Sequence, residues 1–80
     1  MHKKKRDLID VLGLNIRGER MRRGYSQEQL AEASGLHRNY IGIIERGEKK
    51  ITVFNCAKIA EALNLRLSDL IRLAEERNPS

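Results

Sequence analysis

The sequence predicts an all-α protein, a compact five-helix bundle, and three observations carry that prediction. Apolar residues recur at three- and four-residue steps along five stretches, and no run alternates with the two-residue period of a strand. The one proline, Pro79, stands almost at the end, and the six glycines are scattered, so nothing breaks the helical stretches from within. The 80 residues are 40% apolar, enough for one small core. A chain of this size buries only about 60% of the surface that its unfolded state exposes, so every helix must contribute packing, or a second subunit must. Cys56 is the only cysteine, which excludes a disulfide framework and points to a cytoplasmic location.

The elements follow in order. Residues 1–6, "MHKKKR", read as a flexible basic tail. The first helix begins at Asp7, whose carboxylate can cap orphan N–H groups, and Leu8, Val11, Leu12, Ile16 and Arg20 form one face. Arg20, Arg22 and Arg23 suit its C-terminal end, and Gly24 is the expected left-handed residue after it. The second helix opens on a capping box, Ser26 with Gln29, buries Leu30 and Ala31, and stops at Gly35. The third takes up "HRNYIGIIER", with Ile41 and Ile44 as its buried stripe and Gly47 closing it. Thr52 is expected to cap the fourth, whose apolar face is read as Phe54, Cys56, Ile59, Ala60 and Leu63. Ser68 is expected to cap the fifth, which carries Leu70, Ile71 and Leu73. Residues 7–76 are thus one domain, and residues 77–80 are expected to fray.

Several function classes are excluded or made improbable by composition. No apolar run approaches the length of a membrane span, and "DLIDVLGLNI" is broken by Asp7, Asp10 and Asn15, so neither a membrane partner nor a signal peptide is expected. His2, His37 and Cys56 have no metal-ligand spacing, and Cys56 lies on an apolar helix face, where packing is the ready explanation. No nucleophile–base pair or phosphate-cradling glycine loop occurs, so no enzyme, cofactor or small-molecule ligand is expected. Net charge is +5, and its distribution is uneven. Residues 1–50 hold 12 Lys/Arg against 7 Asp/Glu, and residues 51–80 hold 4 against 4. A basic first part with a balanced last part fits a polyanionic partner for the former.

One constellation goes further. With Gln27 as the first position, Ala31 is the fifth, Gly35 the ninth, Ile41 the fifteenth and Ile44 the eighteenth. Two helices crossing steeply through a tight turn need this pattern. The fifth residue must be small where the helices approach, the ninth accepts positive φ, and the fifteenth and eighteenth pin the second helix to the core. Each match alone is weak, but together with the Ser26 cap and the basic charge they indicate a helix-turn-helix.

On these residues, "IRGERMRRGYSQEQLAEASGLHRNYIGIIERGEKKITVFNCAKIAEALN" resembles the Cro and phage-repressor (XRE) type of helix-turn-helix domain, the lambda-repressor-like fold, over most of the chain. Within it "GLHRNYIGIIERGEKKIT" is similar to the controller proteins of restriction–modification systems, which use a Tyr-Ile-x-x-Ile-Glu-Arg-Gly-Glu block. The resemblance implies a five-helix homodimer that binds a palindromic double-stranded DNA operator and regulates transcription. It also implies that Arg20 and Glu45 form a buried structural ion pair between the first and third helices. Many controllers carry Thr at the position of Asn39, so the operator bases are expected to differ.

The second helix of such a motif points its N-terminal residues into the major groove. Arg38 is the chief candidate for base readout, by a bidentate pair with guanine, with Asn39 beside it reaching adenine or a phosphate. Tyr40 could meet thymine methyls, sugar or phosphate. His37 either caps the helix or joins the phosphate contacts. Gln27, Arg46, Lys49, Lys50 and Arg17 are the other expected phosphate contacts. Arg17 and Arg22, on the first helix, are looser candidates, and for Arg22, Arg23 and Lys58 ordinary solvation is the favoured reading. A single module reads few bases, so two-fold pairing is expected, through Leu67, Ile71 and Leu73 in the neutral last part. The alternative, from a different class, is an antitoxin whose main task is to grip a toxin protein. No tail that could wrap a toxin is visible beyond the fifth helix.

Overall fold

A computed structural model describes residues 7–77. Five helices follow one another: α1 (Leu8–Arg22), α2 (Gln27–Ser34), α3 (Arg38–Glu45), α4 (Val53–Ala62) and α5 (Leu67–Arg77). The described residues contain no strand, and no helix among them is long and apolar enough to cross a membrane. Arg77 is the last residue of α5, and the basic tail and the rest of the expected loose end, residues 78–80, lie outside the described residues.

Local chemistry fixes most helix ends. The Asp7 carboxylate accepts from the Asp10 N–H at 3.0 Å and starts α1. Ser26 and Gln29 make both bonds of the capping box, at 3.0 and 2.7 Å, and start α2. Thr52 accepts from the Asn55 N–H at 3.1 Å and starts α4. The chain leaves α1 and α3 through glycines at positive φ, Gly24 and Gly47. In both turns the glycine N–H and the next N–H fold back to helix carbonyls: Gly24 to Met21 and Tyr25 to Arg20, Gly47 to Ile44 and Glu48 to Ile43. α4 ends in the same way with Asn64 at φ 59° in the glycine's place.

The core joins all five helices: Val11, Leu12 and Ile16 from α1, Leu30 and Ala31 from α2, Ile41 and Ile44 from α3, Cys56, Ile59 and Ala60 from α4, and Leu70 and Ala74 from α5. Leu63 and Ile51, just outside α4, complete it. α1 packs against α3 and α5, α2 against α3 and α4, and α4 against α5, so the five helices close around the core. Two buried polar groups on α1 are tied off. Asn15 donates to the Leu70 carbonyl of α5 at 3.3 Å, and Glu19 accepts from Arg23 at 2.7 Å. The crossing of α1 and α3 is very close, since a Cβ at Gly13 would collide with the Ile44 carbonyl oxygen.

Two expectations about single residues require correction. Phe54 does not join the core; it is 69% exposed. It lies two residues before Cys56, about 200° around the helix, whereas Cys56, Ile59, Ala60 and Leu63 follow one another at steps of three, one and three. Ser68 does not cap α5, because the helix already begins at Leu67 and Ser68 falls inside its first turn.

Candidate nucleic-acid interface

α2 and α3 pack against each other through the turn at residues 35–37. Gly35 ends α2 at φ 74°, a conformation that costs any side-chain-bearing residue steric strain. Ala31 is buried, and Ile41 and Ile44 are sealed into the core. The N-terminal turn of α3 is thereby held on a rigid base while its outer face stays in water.

On that face His37, Arg38 and Asn39 are exposed. His37 occupies the N-cap position of α3, but its side chain makes no capping bond, so the capping role considered for it is not made. Arg38 approaches the Glu28 carboxylate only to 3.9 Å, and both side chains are largely in solvent. Tyr40 is different: it is half-buried against the core, and its hydroxyl accepts a hydrogen bond from the Asn55 side-chain amide at 3.0 Å.

Gln27, Arg38, Asn39, Gly42, Ile43 and Arg46 line one shallow hollow. Gly42 makes room for it. A Cβ there would stand 3.1 Å from the Arg46 guanidinium and 3.6 Å from the Gln27 carboxamide. Gln27 donates its amide to Glu45 Oε1 at 3.1 Å. Glu45 is 4% exposed and also takes two bonds from Arg20, at 2.7 and 3.0 Å. A further Arg20 nitrogen donates to the Tyr25 carbonyl at 2.8 Å, so the guanidinium joins α1, α3 and the turn before α2. Hydrogen bonding to the Glu45 carboxylate drives the Arg20 pKa above the ordinary arginine value, so the guanidinium keeps its charge. Gln27 therefore sits at the rim of the hollow with its amide anchored to this lock.

The other cations are held differently. Arg46 grips Glu48 with two bonds, at 2.9 and 3.2 Å, on an open surface. Lys50 donates to Asp7 at 2.9 Å across the start of α1. Lys49 and Arg17 are exposed and pair with no carboxylate among the described residues. The structure thus brings Gln27, Arg38, Asn39 and Arg46 to one place, with Lys49, Lys50 and Arg17 outside the hollow.

The expected pairing trio divides. Ile71 lines an apolar hollow with Leu8, Ile9, Leu12, Ile51 and Val53. Leu67 lines a second hollow of mixed character, where Phe54, Ala57 and Leu65 stand beside Lys58, Glu61 and Asn64. Leu73, about 200° around α5 from Ile71, lies instead among Asn15, Glu19, Arg22 and Arg23. The large apolar side chains most open to water near the first two hollows are Val53, 71% exposed, and Phe54, whose ring carries the Lys58 ammonium 4.5 Å above it. Sequence reading assigned neither to a surface. The signal was present, since both precede the first buried residue of α4.

The helix-turn-helix arrangement of α2 and α3 has counterparts among known proteins. Residues 16–70 match the family model described as "Helix-turn-helix". Control protein C.SmaI of Serratia marcescens is 45% identical over 65 residues, 81% of this chain and 77% of that protein. Among solved structures, the restriction-modification controller protein C.AhdI from Aeromonas hydrophila has 41% identity and a TM-score of 0.74, over 80% of this chain and 96% of that one. A chain from the nucleoprotein complex of C.Esp1396I superposes with a TM-score of 0.85 at 25% identity, over 95% of this chain and 99% of that one.

Proposed function

The chain belongs to the Cro/phage-repressor (XRE) type helix-turn-helix family and is most like the restriction–modification controller proteins, and from that premise we propose how it regulates transcription. It is a sequence-specific DNA-binding regulator that acts in the cytoplasm as a homodimer on a palindromic operator, controlling a restriction–modification system. Each subunit lays the N-terminal turn of α3 in the major groove, and the two turns enter successive grooves about 34 Å apart. Occupancy is the mechanism: the dimer covers or flanks a promoter and blocks or recruits polymerase.

The observation that carries this reading is the exposure of Arg38 and Asn39 on a helix whose opposite face is locked into the core. Arg38 offers the planar fork that matches guanine O6 and N7, and Asn39 the amide that matches adenine N6 and N7. Tyr40 stands beside them. Gln27, His37, Arg46, Lys49, Lys50 and Arg17 serve the phosphates, which fix register without reading sequence. For Arg46 and Lys50 this means exchanging Glu48 and Asp7 for a phosphate, a cheap exchange between exposed partners. The dimer forms through apolar residues of the two hollows, Val53 and Ile71 from one and Phe54 and Leu67 from the other, while Leu73 lines neither.

Selection of bound sites from random DNA tests the reading. It should enrich a palindrome with half-sites centred about 10 bp apart. A single non-repeated half-site would remove the dimer, and no enrichment at all would remove sequence-specific binding.

A further inference from the structure

The bond between Tyr40 and Asn55 joins two elements that the DNA-reading scheme treats separately. Tyr40 is the third residue of α3, next to the exposed Arg38 and Asn39. Asn55 is the third residue of α4, where its backbone N–H is held by the Thr52 cap at 3.1 Å. The cap fixes the Asn55 backbone, and its amide in turn reaches the Tyr40 hydroxyl at 3.0 Å. A phenolic hydroxyl has one proton to give and two lone pairs to receive with. The Asn55 N–H fills one lone pair, and among the described residues the hydroxyl proton has no acceptor. DNA offers such acceptors in abundance, as phosphate oxygens and as guanine O6 and thymine O4.

We propose that Asn55 is a positioning residue for DNA recognition, presenting the Tyr40 hydroxyl as a hydrogen-bond donor to an acceptor oxygen of bound DNA. The proposal rests on the reading of α3 as the DNA-reading helix. Donation from the amide polarises the hydroxyl and strengthens the bond that it gives. It also settles the Tyr40 rotamer on folding, so that less freedom is lost on binding. Tyr40 then favours sites that present an acceptor and gains little from an amino group of adenine or cytosine.

The test is a double-mutant cycle on affinity for the selected operator, using Tyr40→Phe and Asn55→Asp. Asn55→Asp keeps the size of the side chain and suits the first turn of a helix, so the fold should hold. Its carboxylate, however, accepts the hydroxyl proton and takes it from the DNA. Tyr40→Phe should weaken binding about 5–10-fold. Asn55→Asp should weaken it by about 5–10-fold more in the Tyr40 protein than in the Tyr40→Phe protein, with Tm unchanged. An equal loss in both backgrounds would overturn the proposal, because it would be only the cost of an added negative charge. Operators with single methylphosphonates or single base-pair changes locate the acceptor. If a methylphosphonate erases the difference between Tyr40 and Tyr40→Phe, it is a phosphate; if a base change does, it is a base. If neither does, the acceptor is not on DNA and the proposal fails. Arg38→Ala measured alongside separates the two levels. Lost sequence preference there without coupling at Tyr40 and Asn55 removes only the positioning role. Unchanged preference in Arg38→Ala, Asn39→Ala and Tyr40→Phe alike removes α3 as the reading helix, and the positioning role with it.

Discussion

Arg20 and Arg46 grip their glutamates alike, with two bonds each, at 2.7 and 3.0 Å to Glu45 and at 2.9 and 3.2 Å to Glu48. Their surroundings differ. The side chains of Arg20 and Glu45 are 11% and 2% exposed, whereas Arg46 and Glu48 are both 57% exposed. The first pair joins α1 to α3 out of water, with Gln27 and the Tyr25 carbonyl taking up remaining bonding capacity. The second spans two residues of one turn and competes with solvent at every moment. Bond geometry alone does not say what an ion pair does. Burial decides whether it holds the fold or waits to be exchanged for another anion.

The sharpest way to break the comparison is Glu45→Ala. It strands a mostly buried guanidinium and should cost about 3–5 kcal/mol of stability in a denaturant titration. A loss below about 1 kcal/mol would put the Arg20 pair in the same class as the surface pair. Gly13→Ala comes next, because the lock needs the close crossing of α1 and α3. Driving a methyl group toward the Ile44 carbonyl should cost about 1–3 kcal/mol, read in the same titration, and an unchanged midpoint would show that the crossing opens freely.

On the exposed side the order of effects reverses, with binding changed and stability kept. Arg38→Ala should lose ~1–3 kcal/mol at the operator and relax one base position. An equal loss on all sequences would make Arg38 a phosphate contact. Lys49→Ala should lower the slope of log affinity against log salt by about one per subunit while keeping sequence preference. A slope that does not move would take Lys49 out of the interface.

The smallest expected effect is on acid stability. Lys50 holds the Asp7 carboxyl below its ordinary pKa, and Arg46 does the same for Glu48. A folded-state pKa below the unfolded value gives stability that is present above the unfolded pKa and lost as pH falls through the folded one. The loss should therefore begin only below about pH 4, and neutral pH should show no slope from these groups. Because both sites are exposed, Asp7→Asn with Glu48→Gln should flatten the acid limb slightly. A variant that tracks the parent chain down to pH 3 would mean that the pairs add nothing to the fold.

How much of this was legible in the sequence depends on how far apart the deciding residues lie. The Ser26–Gln29 capping box, the Thr52 cap and the glycine ends act within about four residues, and they stand where the sequence put them. The spacing from Gln27 through Ala31, Gly35, Ile41 and Ile44 is equally local, and with it the helix-turn-helix and its outward α3 face could be read directly. Glu45 could be matched with Arg20, 25 residues away, only through family resemblance.

Other features had no local signal. Asn15, read as a polar interruption, is buried because the Leu70 carbonyl, 55 residues on, comes to meet it. Gly13 looks like any helical glycine until α3 crosses over it. Phe54 is the exception: its spacing from Cys56 already placed it on the far side of α4, and only its composition made it look like core. The sequence by itself determined where most of the helices start and stop and which turn of α3 is displayed, because caps, glycines and periodicity act over one or two turns. Only the tertiary structure decided which polar groups are sealed, which cations are held by carboxylates, and which tyrosine is tethered. Those outcomes depend on which faces of distant helices meet, and burial then sets the strength of every charge and hydrogen bond between them.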